Sequence, residues 1–437
     1  MSSCWPYALV DPNTYFAGYI SGHIFDGVRL MIMLRRLLDD LEGFSRIGKE
    51  TRGTTRLAYT DDWMKAQTVA KELLEATGME TDIDSVGNLT GIRKGRETGL
   101  PPVAVGSHLD TVPEGGNFDG ALGVASAIEV VRALDEARVE TKRSIQVNSF
   151  ACEEGSRFGV GCIGSKFMVG ELSLNSAQEI RDLNGVTLSE CIQKAHLLGT
   201  EPIVKKAGDI AAYVELHIEQ GPVLENLNKP IGVVTGIAAP TRLLIEVRGR
   251  TGHVGTVPMK ARKDALVAGA EIITGIEKTV TETDGSGVGT VSRIEMQPNS
   301  VTAIPGSVKL WVDLRYLDEE KRRTCVEGIR RLAANVMSKR EVDIELKTLT
   351  NEHGTMLSPR VINVLKQVAD SFGYPYHEMP SGAMHDAAHM ARITDVGMIF
   401  VPCRGGVSHA PEEFADPSHI EKGLNVLHKT LLTLANQ

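Results

Sequence analysis

The stretch Ile145-Gln-Val-Asn-Ser-Phe-Ala-Cys-Glu-Glu-Gly155 joins a short apolar run to two adjacent acidic residues and a glycine. Its length and its β-branched and aromatic residues predict a buried strand that ends just before Glu153 and Glu154. Two neighbouring carboxylates repel each other unless a cation, a proton or a basic partner compensates their charge. The stretch therefore predicts one strand of a central sheet and a charged site at the carboxyl end of that strand.

Other side chains of the metal-ligand type are found at comparable positions. His108 ends a predicted strand, Asp119 stands just before a helical pattern, and His217 lies in a segment that alternates apolar and polar residues. His409 follows near the C-terminus, and Glu154 completes a set of five candidate ligands. Imidazole combined with carboxylate suits Zn²⁺, Mn²⁺ or Co²⁺ better than Ca²⁺, which prefers oxygen ligands. The set predicts a site for two divalent metal ions.

Strand and helix patterns alternate along most of the chain, which predicts an α/β fold with its ligand site at the carboxyl ends of strands. From about residue 241 the order becomes strand, helix, strand, strand, helix, strand, which is typical of a split βαβ, or ferredoxin-like, unit. Because His409 follows this unit yet belongs with ligands that precede it, the unit is predicted to be inserted. Residues 1–238 and 351–437 would form a catalytic domain, and residues 239–350 a lid.

The element bounds follow from periodicity, turn residues and caps. Helices are predicted over residues 29–44, 61–77, 120–137, 261–283, 319–338 and 420–434, with a further helix from residue 165. Strands are predicted over residues 81–93, 103–106, 145–151, 212–219, 243–249, 287–296, 307–316 and 342–349.

Composition indicates which kinds of partner are unfavourable and in which compartment the protein is expected. The chain has 437 residues and a formal net charge of −9, which argues against nucleic acid or an anionic membrane as the main partner. The 6 cysteines are scattered without a C-x-x-C pair, so neither a thiolate zinc site nor a disulfide framework is indicated. The first 27 residues lack the basic start and apolar core of a signal peptide. We therefore expect a cytoplasmic protein.

Several longer motifs carry a family resemblance. From about residue 29 onward the chain resembles the metal-dependent aminoacylase and carboxypeptidase-like superfamily, and within it the carbamoyl-amidohydrolase branch. The resemblance implies an aminopeptidase-like two-metal catalytic domain with an inserted ferredoxin-like lid and dimerisation domain. The motifs are Gly106-Ser-His-Leu-Asp-Thr-Val112, Gly116-Asn-Phe-Asp-Gly120, Glu153-Glu-Gly-Ser-Arg-Phe158, Glu215-Leu-His-Ile-Glu-Gln-Gly-Pro222, Gly252-His253 with Pro258-Met259, and Ser381-Gly-Ala-Met-His-Asp386.

The resemblance also implies roles for the candidate ligands. His108 and His217 would hold one ion, Glu154 and His409 the other, and Asp119 would bridge the two. In the peptidase branch a carboxylate usually takes the position of His217, so a histidine there is the mark of the carbamoyl branch. Glu153 would not bind metal and would act as the general base toward the attacking water.

Further roles in the family fall on residues that would contact the substrate. His253 would reach across from the partner subunit of a homodimer and stabilise the oxyanion. Asn299 and Arg315 would grip the substrate carboxylate, and Arg315 would do so as a bidentate fork. Gln220 would lie near the ureido group. The family motif also implies that His385 and its neighbour Asp386 support the site from outside the ligand set.

Each role has a plain structural alternative. Asp119 could cap the helix that starts at Gly120. Glu153 could form an ion pair with Arg157, four residues further on. Arg315 could belong to a solvated strand face, and His253, between two glycines, could be a turn residue.

The predicted activity is hydrolysis of N-carbamoyl-L-amino acids to the amino acid, ammonia and carbon dioxide. Allantoate amidohydrolase and β-ureidopropionase are alternatives within the same chemistry, because their substrates also combine a ureido group with a carboxylate. A dipeptidase and a metal-binding protein without catalysis are more distant alternatives. The predicted base Glu153 favours an enzyme over the last of these.

Overall fold

A computed structural model describes residues 34–195, 197 and 201–437, and the backbone of residues 23–25 and 28–30. Its described residues form two compact units. The first contains the described residues up to Val234, together with Leu357–Met379 and His385–Gln437. The second contains Thr235–Met356 and Pro380–Met384.

The described residues up to 237 hold most elements of the first unit. The strands are β1 (His23–Phe25), β2 (Val28–Leu30), β3 (Glu80–Ile83), β4 (Leu89–Arg93), β5 (Val103–His108), β6 (Ile145–Phe150), β7 (Ala212–Ile218) and β8 (Ile231–Ile237). The helices are α1 (Leu34–Ser45), α2 (Asp61–Glu75), α3 (Ala121–Glu136), α4 (Ile163–Met168), α5 (Leu188–Lys194) and α6 (Val223–Asn226), with a 3₁₀ turn at Ser176–Gln178.

The next segment forms the second unit. Its elements are β9 (Ala239–Arg248), β10 (Gly252–His253), a 3₁₀ turn (Met259–Ala261), α7 (Ala265–Thr283), β11 (Val288–Gln297), β12 (Ala303–Ile304), β13 (Ser307–Tyr316), α8 (Glu319–Arg340), β14 (Asp343–Asn351) and β15 (Thr355–Met356). Four strands form an antiparallel sheet in the order β11-β13-β9-β14. This order with its two crossover helices is the ferredoxin-like arrangement, so the inserted fold is confirmed.

The chain then returns to the first unit. The remaining elements are α9 (Pro359–Ser371), β16 (Tyr376–Ser381), α10 (Asp386–Met390), β17 (Val396–Val401), a 3₁₀ turn (Arg404–Gly406) and α11 (Pro417–Ala435). Strand β17 inserts into the middle of the central sheet, whose order is β8-β17-β7-β5-β6-β4-β3. The pairs β17–β7, β7–β5 and β5–β6 are parallel, so the carboxyl ends of four strands meet at one edge. The mixed α/β fold predicted for this part is confirmed.

Burial explains where sequence patterns succeeded and where they failed. In β13 the residues Val308, Leu310, Val312 and Leu314 are buried and alternate with half-buried ones, as predicted for a strand with one covered face. The alternating sequence of β7 does not mean a half-exposed strand, because β7 lies between two parallel neighbours and is buried at every residue.

Several predicted bounds differ from the structure. The helix expected over residues 261–283 begins at Ala265, and the strand expected over residues 243–249 begins at Ala239. The helix expected over residues 29–44 spans Leu34–Ser45, and Val28–Leu30 is a strand. The strand expected over residues 81–93 is a hairpin, because the Asp84 side chain accepts hydrogen bonds from the backbone N–H groups of Val86 and Asn88 and stabilises a turn. The helix expected from residue 165 is the short α4.

Within the described part of the chain, no helix combines the length and the apolar composition that crossing a membrane requires.

Candidate active site

The five predicted ligands meet at the carboxyl edge of the central sheet, within the first unit. The Nε2 atoms of His108 and His217 lie 3.6 Å and 3.2 Å from Asp119 Oδ1. His409 Nε2 lies 3.2 Å from both Asp119 Oδ2 and Glu154 Oε1. Asp119 therefore turns one oxygen toward each of two ligand groups.

This donor set fits two divalent ions. Ligand atoms within 4.8 Å of one another form one group of His108, Asp119 and His217 and another of Asp119, Glu154 and His409. Nitrogen and oxygen ligands at tetrahedral angles around a zinc ion stand roughly 3.3 Å apart, which is close to the separations found here. A carboxylate whose two oxygens face different groups suits a bridging ligand.

The orientation of the buried histidines supports the same reading. His108 Nδ1 lies 3.0 Å from the carbonyl oxygen of Asp110, and His217 Nδ1 lies 2.9 Å from that of Ile218. A carbonyl can only accept, so Nδ1 carries the proton in each ring. The lone pair of each neutral imidazole then resides on Nε2, which faces Asp119, and this is the tautomer that metal ligation needs.

Without a bound cation, Asp119 and the neighbouring histidines at the carboxyl edge of the sheet shift one another's pKa. In this state the pKa values of His108, His217 and His409 are raised, so the rings are protonated at Nε2 as well as at Nδ1 and donate to Asp119. Burial acts against the ionisation of Asp119, but these hydrogen bonds lower its pKa well below its usual range. Burial likewise opposes protonation of His217, yet the hydrogen bond to Asp119 raises its pKa. Bound cations would take over this balancing role.

Asp119 is not the cap of helix α3. Gly120 occupies the N-cap position, and the cap has no side-chain hydrogen bond. Gly120 has φ +65°, and a Cβ atom there would overlap the His108 ring. The helix-cap alternative is therefore wrong, and the glycine after Asp119 is required by the close approach of the His108 ring.

Glu153 is buried beside the ligands. Its Oε2 lies 3.7 Å from His108 Nε2, and its Oε1 accepts a hydrogen bond from the Cys162 thiol at 3.6 Å. Burial raises the pKa of Glu153 well above its usual range. Arg157 lies 3.5 Å from Asp182 Oδ2 instead, so the alternative of a Glu153–Arg157 ion pair is wrong.

Asp110 holds the two glutamates by their backbone. Its Oδ1 accepts the N–H of Glu153 at 3.1 Å, and its Oδ2 accepts the N–H of Glu154 at 2.9 Å. Sequence analysis did not identify this role, because nothing in the order of residues shows that the strand ends of β5 and β6 exchange such bonds.

Three residues among or next to the candidate ligands have a positive φ angle. Cys152, which precedes the glutamate pair, has φ +54°, Gln220 has φ +59° and His409 has φ +55°. Positive φ is uncommon in residues other than glycine, and such outliers tend to occur at functional sites. Cys152 therefore adopts an uncommon backbone conformation directly before the glutamate pair.

Gln220 lies against the ligand set. Its Nε2 donates to Asp119 Oδ2 at 2.7 Å and lies 3.4 Å from His409 Nε2. Its Oε1 is buried and has no hydrogen-bond partner among the described residues. A buried acceptor without a partner is available to an N–H donor of a ligand.

Two residues near the C-terminus also contact this site and were not predicted to do so through their side chains. Ser408 Oγ lies 2.9 Å from Asp119 Oδ2 and 2.8 Å from Glu413 Oε2. Glu413 Oε1 accepts the N–H groups of Phe118 and Asp119. The one available signal was an acidic residue four positions after His409.

His385 and Asp386 are both buried next to the ligands. The His385 ring packs edge-on against the His217 ring at 4.6 Å between centroids. Asp386 Oδ1 accepts a hydrogen bond from Ser165 Oγ at 2.5 Å. These contacts agree with a supporting position outside the ligand set.

The other predicted substrate contacts lie in the second unit and are not brought together there. His253 is exposed on β10, and its Nδ1 accepts the N–H of Gly255 at 3.1 Å, as a turn residue would. Asn299 is exposed after β11. Arg315 is half-buried on β13, where Nε donates to Asp313 at 3.0 Å and Nη1 to the carbonyl of Gly382 at 2.9 Å. Arg315 is thus fixed by two hydrogen bonds, unlike a freely solvated side chain.

The sequence and the fold are similar to those of known proteins. The model of peptidase family M20/M25/M40 matches residues 104–433. The chain is similar to an N-carbamoyl-L-amino-acid amidohydrolase of Pseudomonas sp. (strain NS671), at 38% identity over 92% of this chain and 98% of the relative. It is similar to a ureidoglycolate hydrolase of Arabidopsis thaliana, at 37% identity over 92% of this chain and 86% of the relative. Among solved structures, an amidase of the hydantoinase/carbamoylase family from Burkholderia multivorans is 32% identical, with a TM-score of 0.89 over 93% of this chain and 99% of that one.

Proposed function

The chain belongs to peptidase family M20/M25/M40 and is a hydrolase of C–N bonds in linear amides, and from this premise we propose that it removes the carbamoyl group from N-carbamoyl-L-amino acids. The observation that carries the proposal is the ligand set around Asp119, with His217 in it and a buried glutamate beside it. The products are the L-amino acid, ammonia and carbon dioxide.

His108, Asp119 and His217 would hold one divalent ion, and Asp119, Glu154 and His409 the other. When bound, such ions lower the pKa of water and polarise the carbonyl that is attacked. Zn²⁺, Mn²⁺ and Co²⁺ all suit these ligands.

Glu153 is the general base in this proposal. It accepts a proton from the attacking water and returns it to the leaving nitrogen, which departs as ammonia. Its burial suits this task, because a raised pKa brings a carboxylate closer to the pH at which it must both accept and donate a proton. The carbamate left on the amino acid nitrogen then loses carbon dioxide.

Substrate recognition is assigned to four side chains. Arg315 binds the substrate carboxylate, and its fixed guanidinium suits a bidentate contact. Asn299 lies beyond the opposite end of the β11–β13 pairing, in which Arg315 faces Val288 and Ser307 faces Gln297, so it would reach the same carboxylate from the partner subunit. Gln220 accepts a hydrogen bond from the ureido NH₂ through its buried Oε1, which has no partner among the described residues. His253, supplied by the partner subunit of a homodimer, donates to the oxyanion.

Ureidoglycolate and allantoate are the rival substrates. The relative from Arabidopsis thaliana favours the first of these, and both combine a ureido group with a carboxylate. β-Ureidopropionase activity follows from the same chemistry with a longer spacing between the two groups. A cytoplasmic homodimer, in which residues 239–350 serve as lid and dimerisation domain, completes the proposal.

The test is ammonia release by the purified, metal-loaded protein on N-carbamoyl-L-methionine, N-carbamoyl-β-alanine, ureidoglycolate and allantoate, each with and without a chelator. Chelator-sensitive release from the first alone supports the proposal. Preference for another substrate would transfer the protein to that activity, and no release from any of them would refute the proposal.

The variant Glu153→Gln isolates the base. It should lower kcat by roughly 10²- to 10⁴-fold, because the amide cannot take up the proton. Its metal content should equal that of the unchanged protein, since Glu153 is not in the ligand set. Substantial retained turnover would remove Glu153 from its role.

A further inference from the structure

The two loops that carry Asp119 and His409 are joined by a single buried carboxylate. Glu413 is only 4% exposed, and its Oε1 accepts the N–H of Phe118 at 2.8 Å and that of Asp119 at 3.1 Å. Its Oε2 lies 2.8 Å from Ser408 Oγ, next to His409 in the chain. The carboxylate of Glu413 thus accepts hydrogen bonds from both loops.

The first loop is built to admit this side chain. A Cβ atom on Gly116 would overlap the carboxylate of Glu413, so the glycine leaves the space that Glu413 fills. The Gly116-Asn-Phe-Asp-Gly120 motif therefore has two glycines with separate purposes. Gly120 accommodates the His108 ring, and Gly116 accommodates Glu413.

In the second loop, Arg404 contacts Phe414, the residue that follows Glu413. The N–H of Arg404 donates to the carbonyl of Phe414 at 2.8 Å, and the Arg404 guanidinium stacks 4.0 Å from the centre of the Phe414 ring. The Phe414 ring in turn packs edge-on against Phe118 at 5.8 Å. The neighbours of Glu413 and Asp119 in the chain are therefore also in contact, which fixes the two loops side by side.

Ser408 connects this carboxylate to the ligand set. Its single hydroxyl hydrogen has two acceptors, Asp119 Oδ2 at 2.9 Å and Glu413 Oε2 at 2.8 Å. The hydroxyl can donate to only one of them at a time. Either way, the position of Ser408 is fixed between the two carboxylates, and His409 follows directly from it.

We propose that Glu413 is a positioning residue that holds Asp119 and His409 in register for the second metal ion, the one assigned to Asp119, Glu154 and His409. The inference rests on the two-ion site of the proposed function. Because His409 belongs to this group alone, loss of Glu413 weakens the second ion more than the first. Residues that orient metal ligands typically change metal affinity by roughly 10- to 100-fold when they are replaced.

The experiment titrates metal-free protein with Co²⁺, followed by calorimetry and by the visible absorption of the bound ion, and checks the fold by circular dichroism. The unchanged protein should bind two ions per chain. Glu413→Ala should keep the first ion and bind the second at least 10-fold more weakly. Glu413→Gln should restore binding to within a few-fold, because its Oε1 accepts the same two N–H groups and its amide donates to Ser408.

Glu412 provides the matched control, since it is the neighbouring acidic residue and is exposed. Glu412→Ala should bind both ions as the unchanged protein does. If Glu413→Ala does not fold, Glu413→Asp replaces it, because the shorter side chain keeps the charge but withdraws the carboxylate. Two ions bound with unchanged affinity by either variant would overturn the inference. Failure of the unchanged protein to bind two ions would instead refute the proposed metal site.

Discussion

The replacement Asp110→Asn tests how far the site depends on its backbone support. Asp110 offers one oxygen to each of the N–H groups of Glu153 and Glu154, at 3.1 Å and 2.9 Å, and is itself buried. Asparagine has only one oxygen. Whichever way its amide turns, an NH₂ group faces one of the two backbone donors, and the turn that presents both glutamates must shift.

The expected loss of stability follows from these two hydrogen bonds. A buried N–H left without an acceptor costs about 1–3 kcal/mol, and the remaining bond loses its charge assistance, so the free energy of unfolding should fall by about 2–4 kcal/mol. Displacement of Glu153, the proposed base, and Glu154, a candidate ligand, should also lower kcat by roughly 10- to 100-fold. Glutamine at position 153, by contrast, removes the base without disturbing this turn.

The assay combines urea unfolding of the metal-free protein with turnover at saturating metal. Burial raises the pKa of Asp110 to about 6, so pH 8 keeps the unchanged side chain ionised. Asp82→Asn, on the exposed side of β3, is the matched control and should alter neither quantity. An Asp110→Asn protein with unfolding free energy within about 0.5 kcal/mol of the original and unchanged kcat would show that Asp110 does not support the glutamates.

Two further predictions concern substrate binding and acid stability. Arg315→Lys should raise KM for a ureido carboxylate by about tenfold or more, because lysine cannot form a bidentate fork. It should leave KM for an N-carbamoyl amine without a carboxylate unchanged. Equal effects on both KM values would contradict the assignment. His389 is buried in α10, with its Nδ1 3.0 Å from Glu171 Oε2. Burial outweighs this carboxylate and lowers the pKa of His389 to about 4, so below pH 6.5 the unfolded chain takes up a proton that the folded one does not, and stability falls as the pH decreases. Between pH 7 and pH 5 the free energy of unfolding should fall by about 2 kcal/mol because of this single group. Urea unfolding of His389→Gln should not show this decrease. The same decrease in the variant would refute the assignment to His389.

The candidate ligands could be predicted from the sequence because of how parallel strands are arranged. His108 is the last residue of β5 and the glutamate pair follows the neighbouring β6, and the carboxyl ends of these two parallel strands meet at one edge of the sheet. The ferredoxin-like order was equally accessible, since its strands alternate clearly and its helices are long.

Other features depended on tertiary contacts that no local pattern records. Glu413 and Phe118 are 295 positions apart, and only the folded chain brings their loops together. Strand β7 alternates in sequence but is covered on both faces, so its polar residues are interior ones with partners of their own. Glu215, for example, accepts hydrogen bonds from Ser107 and Tyr213.

The place of β17 in the central sheet has a consequence for biosynthesis. Strands β7 and β8 are made early, but β17 lies between them and leaves the ribosome roughly 160 residues after β8 ends. At about 5–20 residues per second, the two strands wait for roughly 10–30 s with unpaired edges. Such edges are templates for pairing with other chains. Nascent chains halted within the inserted unit should therefore aggregate or recruit chaperones. The candidate metal site can form only after the ribosome has passed His409.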